Sequence, residues 1–193
     1  ILNKEKGLLP PKGTLTHCTT LEIPSYHKLL FVGDVAVIPA PDIKQKQIIM
    51  ECLVRTAKSV GVAKPKVAII AATEQVLASQ PATIEAAMLS KMVERGQIKG
   101  CVADGPLALD VAIDQESVDI KGLVSPVAGD ADCLLFPNIE SGNVFYKANS
   151  KLVQGVRQAG ILVGAKVPCV LSSRADSIDT KLNSIAIAAM SVK

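Results

Sequence analysis

The chain has 193 residues, 49% apolar and 20% charged, with a net charge of +3, five cysteines and no tryptophan. The positive charge is spread without a basic stripe interleaved with aromatics, no apolar run approaches the ~20 residues that span a bilayer, and no signal peptide is visible; nucleic acid and membrane are therefore excluded as partners. Cys18, Cys52, Cys101, Cys133 and Cys169 are odd in number and far apart in apolar stretches, which excludes a disulfide framework and a zinc site and points to reduced core thiols in the cytoplasm.

What remains is a packed core in one large domain or a small two-lobed one. With only 3% aromatics, core volume comes from Ile, Leu, Val and Ala, which suits an α/β protein with a buried parallel sheet. The chain opens on Ile1 rather than Met, within ordered-looking sequence, and reads as part of a longer protein. TLTHCTTLEI (14–23) and KLLFVG (28–33) are strand-like and flank Pro24-Ser25-Tyr26, a candidate antiparallel hairpin. Residues 42–60 repeat apolar positions every three to four residues and predict a helix ended by Gly61. KVAIIAA (66–72) is a buried strand, and 82–96 a helix with Thr83 as N-cap and Gly96 as its stop. GCVADG (100–105) and ADCLLFP (131–137) are further strands, 142–160 a helix with Gly160 at its end, and ILVGAKVPCVLSS (161–173) strand broken at Val167-Pro168. The last helix has an expected inner face of Ile178, Leu182, Ile185 and Ala189.

Alternating strands and helices imply a layered sheet whose ligands gather at the carboxyl ends of strands. That directs attention to loops near Glu74 and at 104–110, 125–132 and 172–177. In SSRADS (172–177) a strand ends and a helix begins, with Ser177 or Asp176 as N-cap. Unsatisfied N–H groups there favour an anion, Ser172 and Ser173 add hydroxyls, and the Arg174 guanidinium is a planar fork for phosphate. The competing reading is an exposed arginine pairing with Asp176 or Asp179. Asp130 and Asp132 have the makings of an acid–base or metal pair, or are turn and cap residues; Asp104 and Asp110 read as structural. Asn143 and Lys147, four apart, share a helix face and either reach a ligand or are solvated. His17 alternates with apolar neighbours and reads as a structural histidine, and no metal-ligand spacing is present. GxGxxG is absent, and Gly155 and Gly160 are followed by Ile161 and Leu162 where a P-loop needs Lys and Ser or Thr.

Four stretches, PATIEAAMLSKM (81–92), QIKGCVADGPLALDVAI (97–113), KGLVSPVAGDADCLLFPNIESGNVFYK (121–147) and AGILVGAKVPCVLSSRADS (159–177), resemble in order and spacing the phosphate acetyl/butyryltransferase family. GPLALD, GDAD and SRADS are most similar to its butyryltransferase branch. The resemblance implies an isocitrate/isopropylmalate dehydrogenase-like, three-layer α/β/α fold of two domains. Residues 1–15 would be a remnant of the first domain, 16–163 the second, and 164–193 a return to the first, most of which is absent.

The implied reaction is reversible transfer of a short-chain acyl group from coenzyme A to phosphate, giving acyl phosphate. Coenzyme A and phosphate are substrates, with no bound cofactor and no metal, in a cytoplasmic homodimer or higher oligomer. Ser173 and Arg174 stand where the family holds phosphate, and Ser172, Asp130, Asn143 and Lys147 are further substrate-binding candidates. The aspartate thought to deprotonate the thiol in the acetyl branch is Thr180 here; Asp176 is assigned that role instead, with Asp179 nearby. Leu8-Leu9-Pro10-Pro11 departs from the pattern where a basic residue is expected. Two other functions are weighed: a non-catalytic acyl-CoA-sensing domain, as at the end of some malic enzymes, and a dehydrogenase on the same fold, disfavoured because clustered metal-ligating histidines and carboxylates are missing.

Overall fold

The structure is a computed structural model that describes all residues except Lys4, Lys12, Arg174, Ala175 and Lys193. The predicted hairpin forms: β1 (Thr16–Glu22) pairs antiparallel with β2 (Leu30–Gly33), Thr20 opposite Phe31. Helix α1 (Ile43–Ser59) starts where Asp42 accepts the Gln45 N–H at 2.8 Å and the Gln45 side chain accepts the Asp42 N–H at 2.9 Å, a reciprocal cap for two orphan donors. Strand β3 (Lys66–Ile70) leads to α2 (Pro81–Glu94) and β4 (Val102–Leu107). Both expected helix-stopping glycines adopt left-handed backbone, Gly61 at φ 102° and Gly96 at φ 74°. Two short helices follow, α3 (Leu109–Ile113) and α4 (Gln115–Lys121), then β5 (Cys133–Leu135), α5 (Ile139–Leu152), β6 (Arg157–Val163), β7 (Cys169–Val170) and α6 (Ile178–Met190).

The seven strands form one sheet in the order β4-β3-β5-β2-β1-β6-β7. β4, β3, β5 and β2 run parallel, while β1, β6 and β7 join by antiparallel pairings. Both faces are covered. On one, Cys18, Phe31, Val67, Leu135 and Ile161 pack against Ile49, Met50 and Leu53 of α1 and Ala86 and Leu89 of α2. On the other, Leu21, Val32, Ala68 and Leu134 meet Val111, Ala112 and Val118 of α3 and α4, with Phe145 and Tyr146 of α5 against them. Period-two alternation in the strands thus feeds two separate cores. A partly buried ion pair, Lys46 with Glu85, ties α1 to α2.

Several expectations are corrected. The segment 142–160 is not one helix: α5 ends at Leu152, and Gly160 lies within β6, paired with Thr19. Thr83 is not the N-cap of α2. Gln80 holds that position, and Thr83, buried in the first turn, donates to the Gln80 carbonyl and accepts the Leu77 N–H. The face expected to point inward on α6 points out: Ile178, Leu182 and Ile185 are exposed, whereas Thr180, Ser184 and Ala188 are buried. The α6 cap is Ser177, whose hydroxyl accepts the Thr180 N–H at 3.1 Å. Finally, the loop 125–132 enters β5 rather than leaving it, and so lies at the amino-terminal edge of the parallel strands.

Candidate functional site

Strand β1 places His17 and Thr19, two apart, on one face, opposite Leu162 and Gly160 of β6. Over this floor lies a cleft of 350 Å³. One wall is α5, whose Asn143, Tyr146 and Lys147 share a helical face; the other is Leu171, Ser172, Ser173, Asp176 and Thr180. Val35 and Ala36, just beyond β2, close the end. Another cavity, of 400 Å³, lies between α1 and residues 163–168. Among the described residues it offers Arg55 and Lys166 but no carboxylate, so the groups fit for proton transfer are in the first cleft.

Asp34 fixes the closed end. It is 2% exposed, and its carboxylate accepts five donors: Thr16 Oγ1 at 2.8 Å and the N–H groups of His17 (3.3 Å), Ala36 (2.7 Å), Val37 (2.9 Å) and Ile38 (3.2 Å). This buried charge is stabilised almost entirely by backbone dipoles. Helix α5 rests on the same turn: Asn143 Nδ2 donates to the Val35 carbonyl at 2.9 Å. A Cβ on Gly142 would stand 2.5 Å from the Asp34 carbonyl, so only glycine permits that approach.

Asp176 faces the cleft from the far wall. Its Oδ2 accepts the Ser173 N–H at 2.6 Å, and Tyr146 donates to Oδ1 at 3.4 Å. Gln158 Nε2 donates in turn to the Tyr146 hydroxyl at 3.3 Å. Burial, and then the nearby Asp176 carboxylate, push the Tyr146 phenol above its usual range, so it stays a donor. The Lys147 ammonium sits 5.0 Å from the Tyr146 ring centroid, within cation–π range. Among the described residues, Gln158 Oε1 is the buried side-chain oxygen left without a hydrogen-bond partner. Thr180 is buried, and α6 is fastened to the floor by Ser184, which accepts the Gly160 N–H at 2.9 Å and donates to the Thr180 carbonyl at 2.7 Å.

Of the candidates read from sequence, Ser172, Ser173, Asp176, Asn143 and Lys147 converge on this cleft. Arg174 lies outside the described residues. Asp130 is not in the cleft. It sits at the opposite edge of the sheet, bound by His27 Nε2 (2.8 Å), Lys28 Nζ (2.7 Å) and Lys66 Nζ (2.8 Å). Partial burial alone would raise its pKa, but hydrogen bonds from Lys28, Lys66 and His27 together hold it well below the usual carboxylate range. Its neighbour Asp132 accepts the Lys66 N–H at 2.7 Å, a long-range contact rather than one within a turn.

Gln158, Tyr146 and Asp34 are polar groups that the sequence reading does not single out, and His17, read there as structural, lines the cleft. The alternation of His17 with Thr19 was a usable signal; Gln158 was hidden by the mistaken helix. Among the described residues no cluster of three or more His, Cys, Asp or Glu could hold a metal ion, and no helix is long and apolar enough to cross a membrane. Burial pushes the Cys18 thiol up to about 12 and raises the Cys52, Cys101 and Cys133 thiols, so these are poor nucleophiles.

Fold and cleft together define an α/β protein with a polar cleft set for a small ligand, carboxylate on one wall and imidazole in the floor. The chain belongs to the phosphate acetyl/butaryl transferase family, whose model matches residues 7–189. It is 50% identical over 190 residues to a phosphate butyryltransferase of Clostridium acetobutylicum, covering 98% of this chain and 62% of that protein. To a phosphate acetyltransferase of Thermotoga maritima it is 44% identical over 189 residues, covering 98% of this chain and 64% of that protein. Among solved structures it is similar to a branched-chain phosphotransacylase from Enterococcus faecalis V583, with a TM-score of 0.87 and 32% identity over 97% of this chain and 67% of that one. The chain therefore spans less than two thirds of the length of these two transferases.

Proposed function

We propose that this chain is the larger part of a phosphate acyltransferase that interconverts short-chain acyl-CoA plus phosphate with acyl phosphate plus coenzyme A. The observation that carries the reading is the convergence of Ser172, Ser173, Asp176, Asn143 and Lys147 on one cleft, in a chain half identical to a phosphate butyryltransferase. In the forward direction a phosphate oxygen attacks the thioester carbonyl; the C–O bond forms, the C–S bond breaks, and the thiolate takes a proton. In reverse, Asp176 accepts the thiol proton, the thiolate attacks the acyl-phosphate carbonyl, and inorganic phosphate leaves with its electron pair. Asp176 suits this role because its carboxylate is held by the Ser173 N–H and Tyr146, which fixes its direction. Ser173 and Arg174 are assigned to the phosphate, which they would hold near the carbonyl while neutralising charge. Lys147 and Asn143 are assigned to substrate contact from α5, and no metal or bound cofactor enters the scheme.

The proposal extends to architecture. Residues 1–15 and 164–193 are assigned to a first domain and 16–163 to a second, in an isocitrate/isopropylmalate dehydrogenase-like arrangement. The exposed Ile178, Leu182 and Ile185 give α6 an apolar face to bury in that domain or in a second subunit of a cytoplasmic homo-oligomer. The test is release of coenzyme A by the full-length protein from acetyl-, butyryl- or isobutyryl-CoA with phosphate. Turnover with any of them supports the reading. Binding of acyl-CoA without turnover would make this a sensing domain instead.

A further inference from the structure

The floor of the cleft contains a titratable group that the scheme above does not use. His17 is 7% exposed, and its ring lies over Gly160: a Cβ there would come within 3.0 Å of Nε2 and 3.1 Å of Cε1. The glycine leaves the space that the imidazole fills. Thr19 Oγ1 is 3.2 Å from Nδ1 and fixes the ring, while among the described residues no hydrogen bond reaches Nε2, and the ring lines the cleft. A buried imidazole with one nitrogen anchored, in a ring that lines a cavity, is arranged for a ligand.

We propose that His17 contacts the substrate, presenting Nε2–H from the floor of the cleft to a phosphoryl or carbonyl oxygen of the acyl phosphate. This rests on the acyltransferase reading for the identity of the ligand. An oxygen ligand selects the tautomer in which the Thr19 hydroxyl donates to Nδ1 and Nε2 carries the proton. Burial lowers the pKa of His17, against the opposing pull of Asp34 and Asp176, so the ring acts as a neutral donor. It therefore complements Asp176, which only accepts when ionised. Gln158 Oε1, buried and without a hydrogen-bond partner among the described residues, belongs to the lining of the same cleft and would accept from a ligand donor.

The experiment uses the full-length protein labelled with 15N-histidine and long-range 1H–15N correlation spectra, with inorganic phosphate and acetyl phosphate as probes. The His17 signals are those lost in His17→Ala. His27, held by Asp130 at the opposite edge, is an internal control. Either probe is expected to move His17 Nε2 and leave His27 in place. In kinetics, His17→Ala should lower kcat/KM for acyl phosphate by about 10- to 100-fold, as for a hydrogen bond to a charged group. His17→Gln, whose amide N–H reaches the position of Nε2, should recover most of the loss, and His17→Asn should not. Unmoved His17 signals with both probes overturn the proposal, as does a His17→Ala variant within twofold of the parent. If the alanine variant does not fold, the response of the unsubstituted protein decides, its His17 signals being assigned in His17→Gln. A moving His17 without turnover refutes the acyltransferase reading but keeps the contact; turnover with an unmoved His17 refutes the contact alone.

Discussion

Replacing Asp34 by asparagine removes one oxygen from a carboxylate that accepts five donors. If the amide oxygen takes the place of Oδ2, the new NH2 confronts the Ala36 and Val37 N–H groups. If it takes the place of Oδ1, the NH2 confronts Thr16, His17 and Ile38; the Thr16 hydroxyl can turn to accept, but two backbone N–H groups remain. Either rotamer orphans two buried donors, each costing about 1–3 kcal/mol, and weakens the remaining bonds by removing their charge. The residue is 2% exposed, so water offers little compensation, and the expected loss is about 3–5 kcal/mol. With a urea m-value of about 2 kcal/mol per molar, the unfolding midpoint should fall by roughly 1.5–2.5 M. The assay is urea unfolding of Asp34→Asn beside Thr16→Val, which loses one donor and should lose only about 1 kcal/mol. A loss below about 1 kcal/mol for Asp34→Asn would refute the reasoning, because the five contacts would then be replaceable at little cost.

Asp176→Asn should lower kcat by about 10²- to 10⁴-fold with the fold intact by circular dichroism, if Asp176 moves the proton; Tyr146→Phe, which removes the 3.4 Å hydrogen bond to Asp176 and the 3.3 Å one from Gln158 but leaves the carboxylate, should cost far less. Asp130→Asn should leave acyl-transfer kinetics unchanged and reduce stability by about 1–2 kcal/mol, a figure already discounted for solvent screening. Because the folded Asp130 carboxyl titrates below its unfolded value, its stabilisation is complete above about pH 5 and is lost as pH falls through the folded value; thermal melts of parent and variant should therefore converge in acid. Ser184→Ala orphans the Gly160 N–H and should cost about 1–3 kcal/mol in a denaturation experiment.

The layered α/β class was legible because apolar runs such as Val67–Ile70 must be buried on both faces. The hairpin was equally readable from Thr and Leu alternation around Pro24. Three failures have a common cause, the use of local pattern where tertiary contact decides. Ile178, Leu182 and Ile185 form a regular apolar stripe, yet Ser184 and Thr180 face inward: the Ser184 hydroxyl accepts the Gly160 N–H and donates to the Thr180 carbonyl, and the Thr180 hydroxyl meets Ser177 Oγ at the cap. The stretch 142–160 kept helical spacing, but β6 pairs along its whole length with β1, a partner more than a hundred residues away that no local window detects. Asp130 followed a glycine in a promising loop, and only the register of β5 beside β2 shows that the loop lies at the wrong edge. Ser172, Ser173, Asp176, Asn143 and Lys147, which line the cleft, stand in the long motifs that carry the resemblance. His17 reads as structural because a strand hides which of its faces is hollow, and Gln158 is obscured because its segment keeps helical spacing.

The fastening between α6 and the floor runs from a serine hydroxyl to a peptide N–H. Every residue except proline supplies such a group, so the joint is indifferent to which side chain position 160 carries. Mechanical attachment and ligand accommodation are thereby separated at a single residue: the main chain holds the far wall in place, while the absent side chain answers first to the imidazole above it and then to the Leu171 carbonyl. A family of proteins could reshape this floor for different ligands without loosening the wall that stands on it.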